Sequence, residues 1–322
     1  MNKRIVSMSS ILLVSAPSYG YEMINNDIAY LDFYGDIKAS ALFLDRKDNE
    51  YSFGDSKIGV RARYAITDLI SIEGGTEAQV NLDADEDKNE DEIFISQYFI
   101  GLYEESFGAL TYGKHSTSSD DLGGTDYSEV FGGQSNLNSV GVKGDTIKYV
   151  YDNELFTLNG TYGFESGEQK RTLTEFFGQY NLADLVLVSG IGSTETNATN
   201  NKTGALYFHT TARLEMGDTN LGVTYYHQNF NNDSQPSRSV DKNAFAIAGQ
   251  IAFTVALTGY AGHEVINQDS DNSALTGTQN NSYLGVSLVP LEYTKLFAEV
   301  NFNSPIQTPD ETNFAVGGAI AW

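Results

Sequence analysis

Four carboxylate side chains lie close together in a glycine-rich segment in the middle of the chain, residues 114–133. They are Asp120, Asp121, Asp126 and Glu129. In an exposed loop such carboxylates are hydrated and have no special role. In a narrow aqueous passage they form a fixed negative charge that raises the local concentration of cations.

Catalytic chemistry has little support in the sequence. The chain has no cysteine, which removes thiol catalysis and cysteine-ligated metal sites. The four histidines, His115, His209, His227 and His263, are scattered, and no G-x-S-x-G motif places a nucleophile beside them. The sequence therefore predicts no enzyme, no cofactor and no metal centre.

The chain is strongly acidic, with a formal net charge of −24 at pH 7 over 322 residues. This sign excludes nucleic acid as a partner, because phosphate binding needs positive charge. A soluble acidic protein and a pore that attracts cations both fit the balance. The 31 glycines, 20 tyrosines and 18 phenylalanines, against 5 prolines, favour many strands and turns.

Apolar and polar residues alternate with period two through most of the chain, and this predicts the strands that position the acidic segment. Leu31, Phe33 and Ile37, for example, lie opposite Asp36 and Lys38. The polar faces of the first strands carry these charges deep inside the strands: Asp36, Lys38, Lys57, Arg61, Arg63, Glu73 and Glu77. Charges on one face and apolar residues on the other predict an all-β, antiparallel transmembrane β-barrel of about 16 strands, with a wet interior. A soluble sandwich that buries the apolar face is the alternative.

Both ends of the chain agree with an exported barrel. Lys3 and Arg4, an apolar stretch at 11–14 and small residues up to Gly20 predict a signal peptide over 1–20. The rest, 21–322, is predicted to form a single domain. The last residues alternate up to the terminal Trp322, as expected of a closing strand with an aromatic side chain at the membrane interface.

The predicted connections are of two kinds, short turns and long polar loops, which alternate as in an outer-membrane barrel. The long loops are predicted at 83–92, 116–138, 194–202, 229–242, 267–281 and 304–311. The uncharged stretch 244–262 has the length of a spanning helix, but its alternation favours two adjacent strands.

The acidic segment resembles the third loop of the general diffusion porins of Gram-negative outer membranes. The resemblance rests on the lead-in FGALTYGK at 107–114, the pair Thr125-Asp126 and the close EVFGG at 129–133. It extends more thinly to FYGD at 33–36, SKIG at 56–59, YFIGL at 98–102 and the terminal aromatic residue.

The resemblance implies a water-filled outer-membrane barrel, assembled as a homotrimer among lipid and lipopolysaccharide, through which small hydrophilic solutes and cations diffuse. It further implies that the third loop folds inward and narrows the channel. Asp126 and Glu129 then become the constriction acids, with Asp120 and Asp121 as additions. The resemblance also assigns a basic wall opposite them: Lys57, Arg61, Arg63 and, on the sixth strand, Lys143 or Lys148. Arg61 and Arg63 have the alternative of pairing with Glu73 and Glu77 on the next strand.

Two departures from the family pattern reduce the number of basic side chains on the wall opposite the acids. Asp36 stands where the family usually has a basic residue, and Ser96 replaces an expected arginine. With the acids retained, the sequence predicts a channel that prefers cations.

Two alternative functions remain open from the sequence, and one loop carries a separate hypothesis. A sugar-specific channel needs an aromatic track in the lumen, for which Tyr34, Tyr207, Tyr226 and Phe297 are candidates. A structural or adhesive barrel would have a plugged lumen. The acidic loop 83–92 suggests weak divalent-cation binding that bridges to lipopolysaccharide, although it lacks the glycine of an EF-hand.

Overall fold

The computed structural model describes residues 21–26, 28–53, 56–80, 93–138, 140–166, 170–198 and 201–322. Two predictions lie outside the described residues: the signal peptide at 1–20, and the acidic loop at 83–92 with its divalent-cation binding. No helix among the described residues is long and apolar enough to cross a membrane.

The described residues form antiparallel strands that follow one another along the chain. The strands are β1 Tyr21–Asn25, β2 Ala29–Phe43, β3 Glu50–Ser52, β4 Ser56–Ala65, β5 Ile70–Val80, β6 Ile93–Glu104, β7 Gly108–Ser116, β8 Val142–Asp152, β9 Phe156–Ser166, β10 Arg171–Leu182, β11 Leu185–Ala198, β12 Asn201–Met216, β13 Thr219–Asn232, β14 Val240–Ala252, β15 Leu257–Asp269, β16 Gly277–Leu288, β17 Thr294–Ser304 and β18 Glu311–Ala321. One short α-helix, α1, spans Ser118–Asp121, and single 3₁₀ turns lie at Pro236–Arg238 and Ser273–Leu275.

The sheet closes on itself because β18 pairs with β2, from Ala321 opposite Asp36 to Phe314 opposite Phe43. The first half of β2 pairs with β4 on one edge, so the short β1 must occupy the other edge, in line with β18. By the same argument β3 lies in line with β4. The barrel therefore has 16 strand positions, and the predicted fold class is confirmed.

The two faces of the barrel differ as the alternation predicts. Large apolar side chains such as Ile100, Leu102 and Leu110 are exposed on the outer surface, where the lipid lies. Between them, the inward positions carry most of the buried polar residues, including Thr161, Asn281 and Asn301. The barrel thus has an apolar exterior and a polar interior.

The uncharged stretch 244–262 forms two strands, as predicted. β14 ends at Ala252, β15 begins at Leu257, and the two pair in register with Phe245 opposite Val265. The turn that the sequence did not locate is thus at 253–256.

Several predicted loops are wrong at their boundaries, because the strands continue into them. Residues expected in the loop 194–202 belong largely to β11 and β12, with Thr194 opposite Ala205 and Ala198 opposite Asn201. The loops predicted at 229–242 and 267–281 shrink to 233–239 and 270–276. Strands that project beyond the lipid need no apolar face, so the alternation of apolar and polar residues does not mark their ends. Threonine-rich polar segments nevertheless favour the extended backbone, and the strands therefore continue.

Candidate functional site

The connection between β7 and β8, called loop 3 here and described over 117–138 and 140–141, folds into the barrel. Its base is closed by Thr117, whose backbone N–H donates to Gly141 O at 2.8 Å and whose hydroxyl donates to Val140 O at 2.7 Å. From there the loop contacts the inner wall at one strand after another. The inward-folded third loop is thus confirmed, and the channel narrows where the loop lies.

The contacts follow the order of the strands around the barrel. Ser118 Oγ lies 2.7 Å from Thr161 Oγ1 on β9, and Leu122 O lies 2.8 Å from His209 Nε2 on β12. Farther along, the Thr125 N–H donates to Thr224 Oγ1 on β13 at 2.8 Å. Loop 3 therefore lies along the wall rather than projecting freely into the lumen.

Three wall glutamates, each 3% exposed, hold the loop backbone: Glu175, Glu264 and Glu299. Glu175 on β10 accepts a hydrogen bond from the Ser119 N–H at 3.1 Å, another from the Ser119 hydroxyl at 2.6 Å, and one from the Tyr207 hydroxyl. Charge-assisted hydrogen bonds of this kind are stronger than neutral ones. Glu175 therefore anchors the start of loop 3.

Glu299 on β17 anchors the tip of the loop. It accepts hydrogen bonds from the Ser128 hydroxyl at 2.7 Å and from the backbone N–H groups of Glu129 and Phe131 at 2.8 Å each. Tyr260 donates a further hydrogen bond at 3.0 Å. Four donors thus surround one buried carboxylate, which satisfies the hydrogen-bonding requirement of its charge.

Glu264 on β15 anchors the return of the loop. It accepts hydrogen bonds from the backbone N–H groups of Gln134 at 3.3 Å and Ser135 at 3.1 Å, and from the Ser135 hydroxyl at 2.7 Å. The amide of Asn281 donates to the same carboxylate at 2.7 Å. None of the three wall glutamates forms an ion pair within the described part of the chain.

Apolar contacts seal the loop against the wall at two places. Leu122 packs into a buried cluster formed by Phe177, Val186, Val188, Ala205 and Tyr207. Phe131 packs into a second cluster with Tyr260, Tyr283 and Phe297, against which Tyr127 and Val130 also lie. The loop is therefore held by burial as well as by hydrogen bonds.

Glycines allow the close approach of loop and wall. A Cβ atom at Gly222 on β13 would lie 2.2 Å from Thr125 Oγ1, so a larger residue there would displace the loop. Gly133, in the EVFGG close, has a φ of +74°, a left-handed conformation that favours glycine. These glycines therefore allow loop 3 to follow its path close to the wall.

Of the four predicted acids, Asp121 is the most firmly bound. It forms an ion pair with Lys148 on β8, and it accepts hydrogen bonds from the Ser116 hydroxyl at 2.6 Å and from Asn159 Nδ2 at 3.1 Å. Lys148 also donates to Ser116 O at 2.8 Å. The charge of Asp121 is thus compensated at the base of the loop.

Glu129 is compensated as well, at the tip. Its carboxylate pairs with Lys295 on β17 at 2.6 Å, and its backbone carbonyl accepts a hydrogen bond from Lys38 Nζ at 2.9 Å. Lys38 Nζ also lies 5.8 Å from the centre of the Phe297 ring. Lys295 and Glu299 occupy alternate positions on the inner face of β17, but no sequence signal paired them with loop 3.

Asp120 and Asp126 remain exposed to the lumen, and neither forms an ion pair within the described residues. Asp126 accepts hydrogen bonds from the Tyr283 hydroxyl and the Ser128 N–H, both at 2.9 Å. Although both side chains are exposed, the protein around each carboxyl group limits its solvation, and this raises the pKa of Asp120 and of Asp126 to about 6. Like-charge repulsion from Asp121 raises the pKa of Asp120 further.

The predicted basic side chains occupy the wall of β4 and its neighbours. Lys57 Nζ lies 3.9 Å from Asp36 Oδ1. The positive charge of Lys57 also favours the ionised form of Asp120 on loop 3. Arg63 pairs with Glu73 at 2.5 Å and stacks over Tyr103, 4.2 Å from the ring centre. The alternative pairing of Arg63 with the next strand is therefore present.

The remaining predicted charges are placed as follows. Arg61 lies over Tyr34, 5.9 Å from the ring centre, and Tyr34 donates a hydrogen bond to Glu77 at 3.3 Å. Ser96, which stands in place of an expected arginine, donates to Glu77 at 2.8 Å. Lys143 is buried, and its amino group donates to the carbonyls of Gly144 at 2.9 Å and Phe164 at 3.1 Å.

Loop 3 and this wall enclose a cavity of about 250 Å³ on the side of the short turns. Its lining brings the predicted residues of both sides together: Arg61, Arg63, Glu73, Glu77, Asp121 and Lys148. The lining of this cavity thus combines acidic and basic side chains, whereas Asp120, Asp126 and Glu129 are not part of it.

A closed barrel with an apolar exterior, a charged interior and a loop folded inward along its wall defines the class of protein as an outer-membrane β-barrel. The chain belongs to the Gram-negative porin family, whose family model matches residues 10–319. It is accordingly a β-barrel protein of the Gram-negative outer membrane.

Similar proteins agree with this assignment. A "Major outer membrane protein" of Pasteurella multocida is 23% identical over 85% of this chain and 78% of that protein. The chain spans about half the length of two further relatives of that description, 54% and 52%.

Solved structures show the same fold. A loop-deletion mutant of OmpT, an outer membrane protein of Vibrio cholerae, is 26% identical, covers 92% of this chain and all of that chain, and superposes with a TM-score of 0.82. A trimer form of OmpT is 25% identical over 92% of this chain and all of that chain, with a TM-score of 0.80. An anion-selective porin of Comamonas acidovorans is 14% identical over 91% of this chain and all of that chain, and shares the fold with a TM-score of 0.75.

Proposed function

We propose that this protein is a passive channel for small hydrophilic solutes and ions that prefers cations, and that Asp120 and Asp126 set this preference. One observation carries the proposal: these two acids are the loop 3 carboxylates that are open to the lumen without an ion-pair partner among the described residues. Fixed negative charge in a narrow passage raises the local concentration of cations and lowers that of anions.

Neighbouring acids reduce the opposing positive field. Lys57 lies beside Asp36, Arg63 is paired with Glu73, Lys148 with Asp121 and Lys295 with Glu129. The pairs contribute little net charge at the distance of a passing ion, so the charges of Asp120 and Asp126, which form no ion pair among the described residues, act on that ion. The formal net charge of −24 acts in the same direction.

The sugar-specific alternative receives less support from the placement of the aromatic residues. Tyr207, Tyr226 and Phe297 are buried beneath loop 3 and its contacts rather than open to a passing solute. One face of Tyr34 is covered by Arg61. A continuous aromatic track for sugar rings is therefore not part of the proposal, and no chemical step is involved.

The reversal potential across a potassium chloride gradient in a planar bilayer tests the proposal. Wild-type protein is expected to favour potassium, and the double variant Asp120→Asn/Asp126→Asn to lose most of that preference. In a water-like dielectric one carboxylate attracts a monovalent cation 4 Å away by about 1 kcal/mol, so losing two should lower the permeability ratio several-fold. A wild-type pore that favours chloride, or a double variant with unchanged selectivity, would refute the proposal.

The matched control for this experiment is Glu129→Gln/Lys295→Met. It removes a carboxylate from the same loop but takes its partner cation with it, so the net charge of the lumen is unchanged. Selectivity should stay close to that of the wild type. Equal losses in both double variants would mean that loop geometry, not charge, sets the preference.

We also propose that the channel assembles as a homotrimer within outer-membrane lipid and lipopolysaccharide. The trimer form of the OmpT relative supports this. Native mass spectrometry of the detergent-extracted protein should give three copies of the chain, and a monomer under the same conditions would contradict it.

A further inference from the structure

Three buried asparagines form a hydrogen-bonded ladder across β16, β17 and β18. Asn281, Asn301 and Asn313 are 0%, 1% and 6% exposed, and Asn301 lies directly opposite Asn313 in the sheet. Asn313 Nδ2 donates to Asn301 Oδ1 at 3.1 Å, and Asn301 Nδ2 donates to Asn281 Oδ1. Each amide is thus donor to one neighbour and acceptor from the other.

The ends of the ladder determine its direction. At one end the backbone N–H of Asp45, in the loop that follows β2, donates to Asn313 Oδ1 at 2.9 Å. At the other end Asn281 Nδ2 donates both to Glu264 Oε2 at 2.7 Å and to Phe131 O at 2.8 Å. A backbone N–H can only donate and a carboxylate can only accept, so all three amides must point the same way.

This direction has an electrostatic consequence for loop 3. The amide dipoles align with their nitrogens toward Glu264, the buried carboxylate that holds the backbone of Gln134 and Ser135. Hydrogen bonds in such a chain polarise one another, so each link strengthens the next. The ladder therefore helps to stabilise a buried negative charge that has no cationic partner among the described residues.

A second contact runs parallel to the ladder. Leu42 and Leu44, at the end of β2 and the start of the same loop, pack against the buried cluster that contains Phe131. The first loop and the close of loop 3 are thus joined both by amides and by apolar packing.

We infer that Asn281, Asn301 and Asn313 are positioning residues for the constriction: they orient the Glu264 carboxylate that holds residues 134–135 of loop 3, and they connect that segment to the first loop. The inference rests on the proposed function only in taking loop 3 as the constriction, and it is independent of the sign of the ion preferred.

The test uses a spin label, which the absence of cysteine in the natural sequence makes straightforward. A single Asn136→Cys substitution at an exposed position of loop 3 carries the label in every sample. In the otherwise wild-type protein the electron paramagnetic resonance spectrum should show one immobile component. A mobile component reports that loop 3 has loosened.

Two substitutions at Asn313, whose side chain makes no hydrogen bond to loop 3 itself among the described residues, separate the ladder from simple packing. Asn313→Leu removes the link and should produce a mobile component. Asn313→Asp keeps the shape and the acceptor for Asp45, but it presents an acceptor to Asn301. The side-chain amides of Asn301 and Asn281 must then turn over, which places Asn281 Oδ1 against the Glu264 carboxylate. Because two acceptors repel each other, this variant should give the larger mobile component.

The matched control is Asn303→Leu, on the same face of β17 as Asn301. Asn303 lies directly opposite Asn281 in the sheet, but its side chain makes no hydrogen bond to the ladder among the described residues. It should leave the spectrum unchanged, and open-channel current noise should increase in the same order as the mobile component. Spectra of both Asn313 variants identical to the wild type, or an equal effect of Asn303→Leu, would overturn the inference.

If Asn313→Asp does not assemble, the contrast between Asn313→Leu and Asn303→Leu decides alone. A wild-type preference for chloride would refute the proposed function but leave the expected order of the spectra intact. The two failures are therefore distinguishable.

Discussion

The barrel contains two sets of carboxylates that have the same chemistry and different roles. Glu175, Glu264 and Glu299 are buried and surrounded by N–H and O–H donors of loop 3 and the wall. Asp120 and Asp126 on the loop itself are open to the lumen. The difference teaches that hydrogen-bond donors decide what a carboxylate can do. One whose charge is satisfied by several donors holds structure, and one that faces water is free to act on ions, as we propose for Asp120 and Asp126.

We expect the largest effect from a substitution among the three buried wall glutamates, Glu299→Gln. The substitution keeps the size of the side chain but replaces one carboxylate oxygen by an NH₂ group, which then faces either the Ser128 hydroxyl and the Phe131 N–H or the Glu129 N–H and the Tyr260 hydroxyl. Each buried donor left without a partner costs about 1–3 kcal/mol, so the tip of loop 3 should leave the wall and move into the lumen. Single-channel recordings should then show frequent closures and a lower mean conductance.

Glu215→Gln is the control for that experiment. It removes the same charge from an exposed glutamate near the end of β12, which has no side-chain hydrogen bond to loop 3 among the described residues. Its recordings should be as quiet as those of the wild type. Frequent closures in both variants would contradict the different roles of the buried wall glutamates and the exposed carboxylates.

The cation preference that we propose for Asp120 and Asp126 should depend on pH. The pKa of Asp120 and of Asp126 is raised to about 6 by limited solvation, so both are ionised above that value and become protonated as the pH falls through it. Cation preference should therefore be full near neutral pH and decline on acidification through about pH 6. Reversal potentials measured at a series of pH values check this, and the Asp120→Asn/Asp126→Asn variant should lack the transition. A preference that stays constant down to the ordinary range of aspartate would contradict it.

A smaller effect is expected from Gly222→Ala, which perturbs the path of the loop without touching either set of carboxylates. The new methyl group would meet Thr125 Oγ1 at 2.2 Å and disturb the 2.8 Å hydrogen bond from Thr125 N to Thr224. Overpacking of this kind costs about 1–3 kcal/mol. Thermal denaturation and conductance should both shift modestly, while Gly160→Ala, where the nearest atom is 4.0 Å away, should change neither.

The smallest effect should come from single removal of a compensating cation, Lys295→Met. It leaves the Glu129 carboxylate without its 2.6 Å partner and adds one net negative charge to the lumen. Cation preference should rise slightly, since this is one charge beside the two of Asp120 and Asp126. An unchanged or lower cation preference would contradict the prediction that the Glu129 carboxylate, once freed, acts on a passing ion.

Much of the fold was readable from local pattern. Period-two alternation predicted the strands, their lumen faces and the two strands within 244–262, because each side chain's direction in a strand follows from its neighbours alone. It failed at 194–202, where polar strands extend past the lipid and have no apolar face to reveal them.

The acidic segment was also found in the sequence, but its partners were not. Glu129 meets Lys295, and Ser128 meets Glu299, across 166 and 171 residues of chain. Their side chains lie on the predicted lumen face, yet which lumen residues meet depends on how the barrel closes and where the loop crosses it.

The sequence by itself therefore determined a barrel with a charged interior and an acidic loop. Only the tertiary structure decided which acids are bound and which remain open to the lumen. The physical reason is that strand direction is a local property, whereas compensation of a charge requires a partner brought from a distant strand by closure of the sheet.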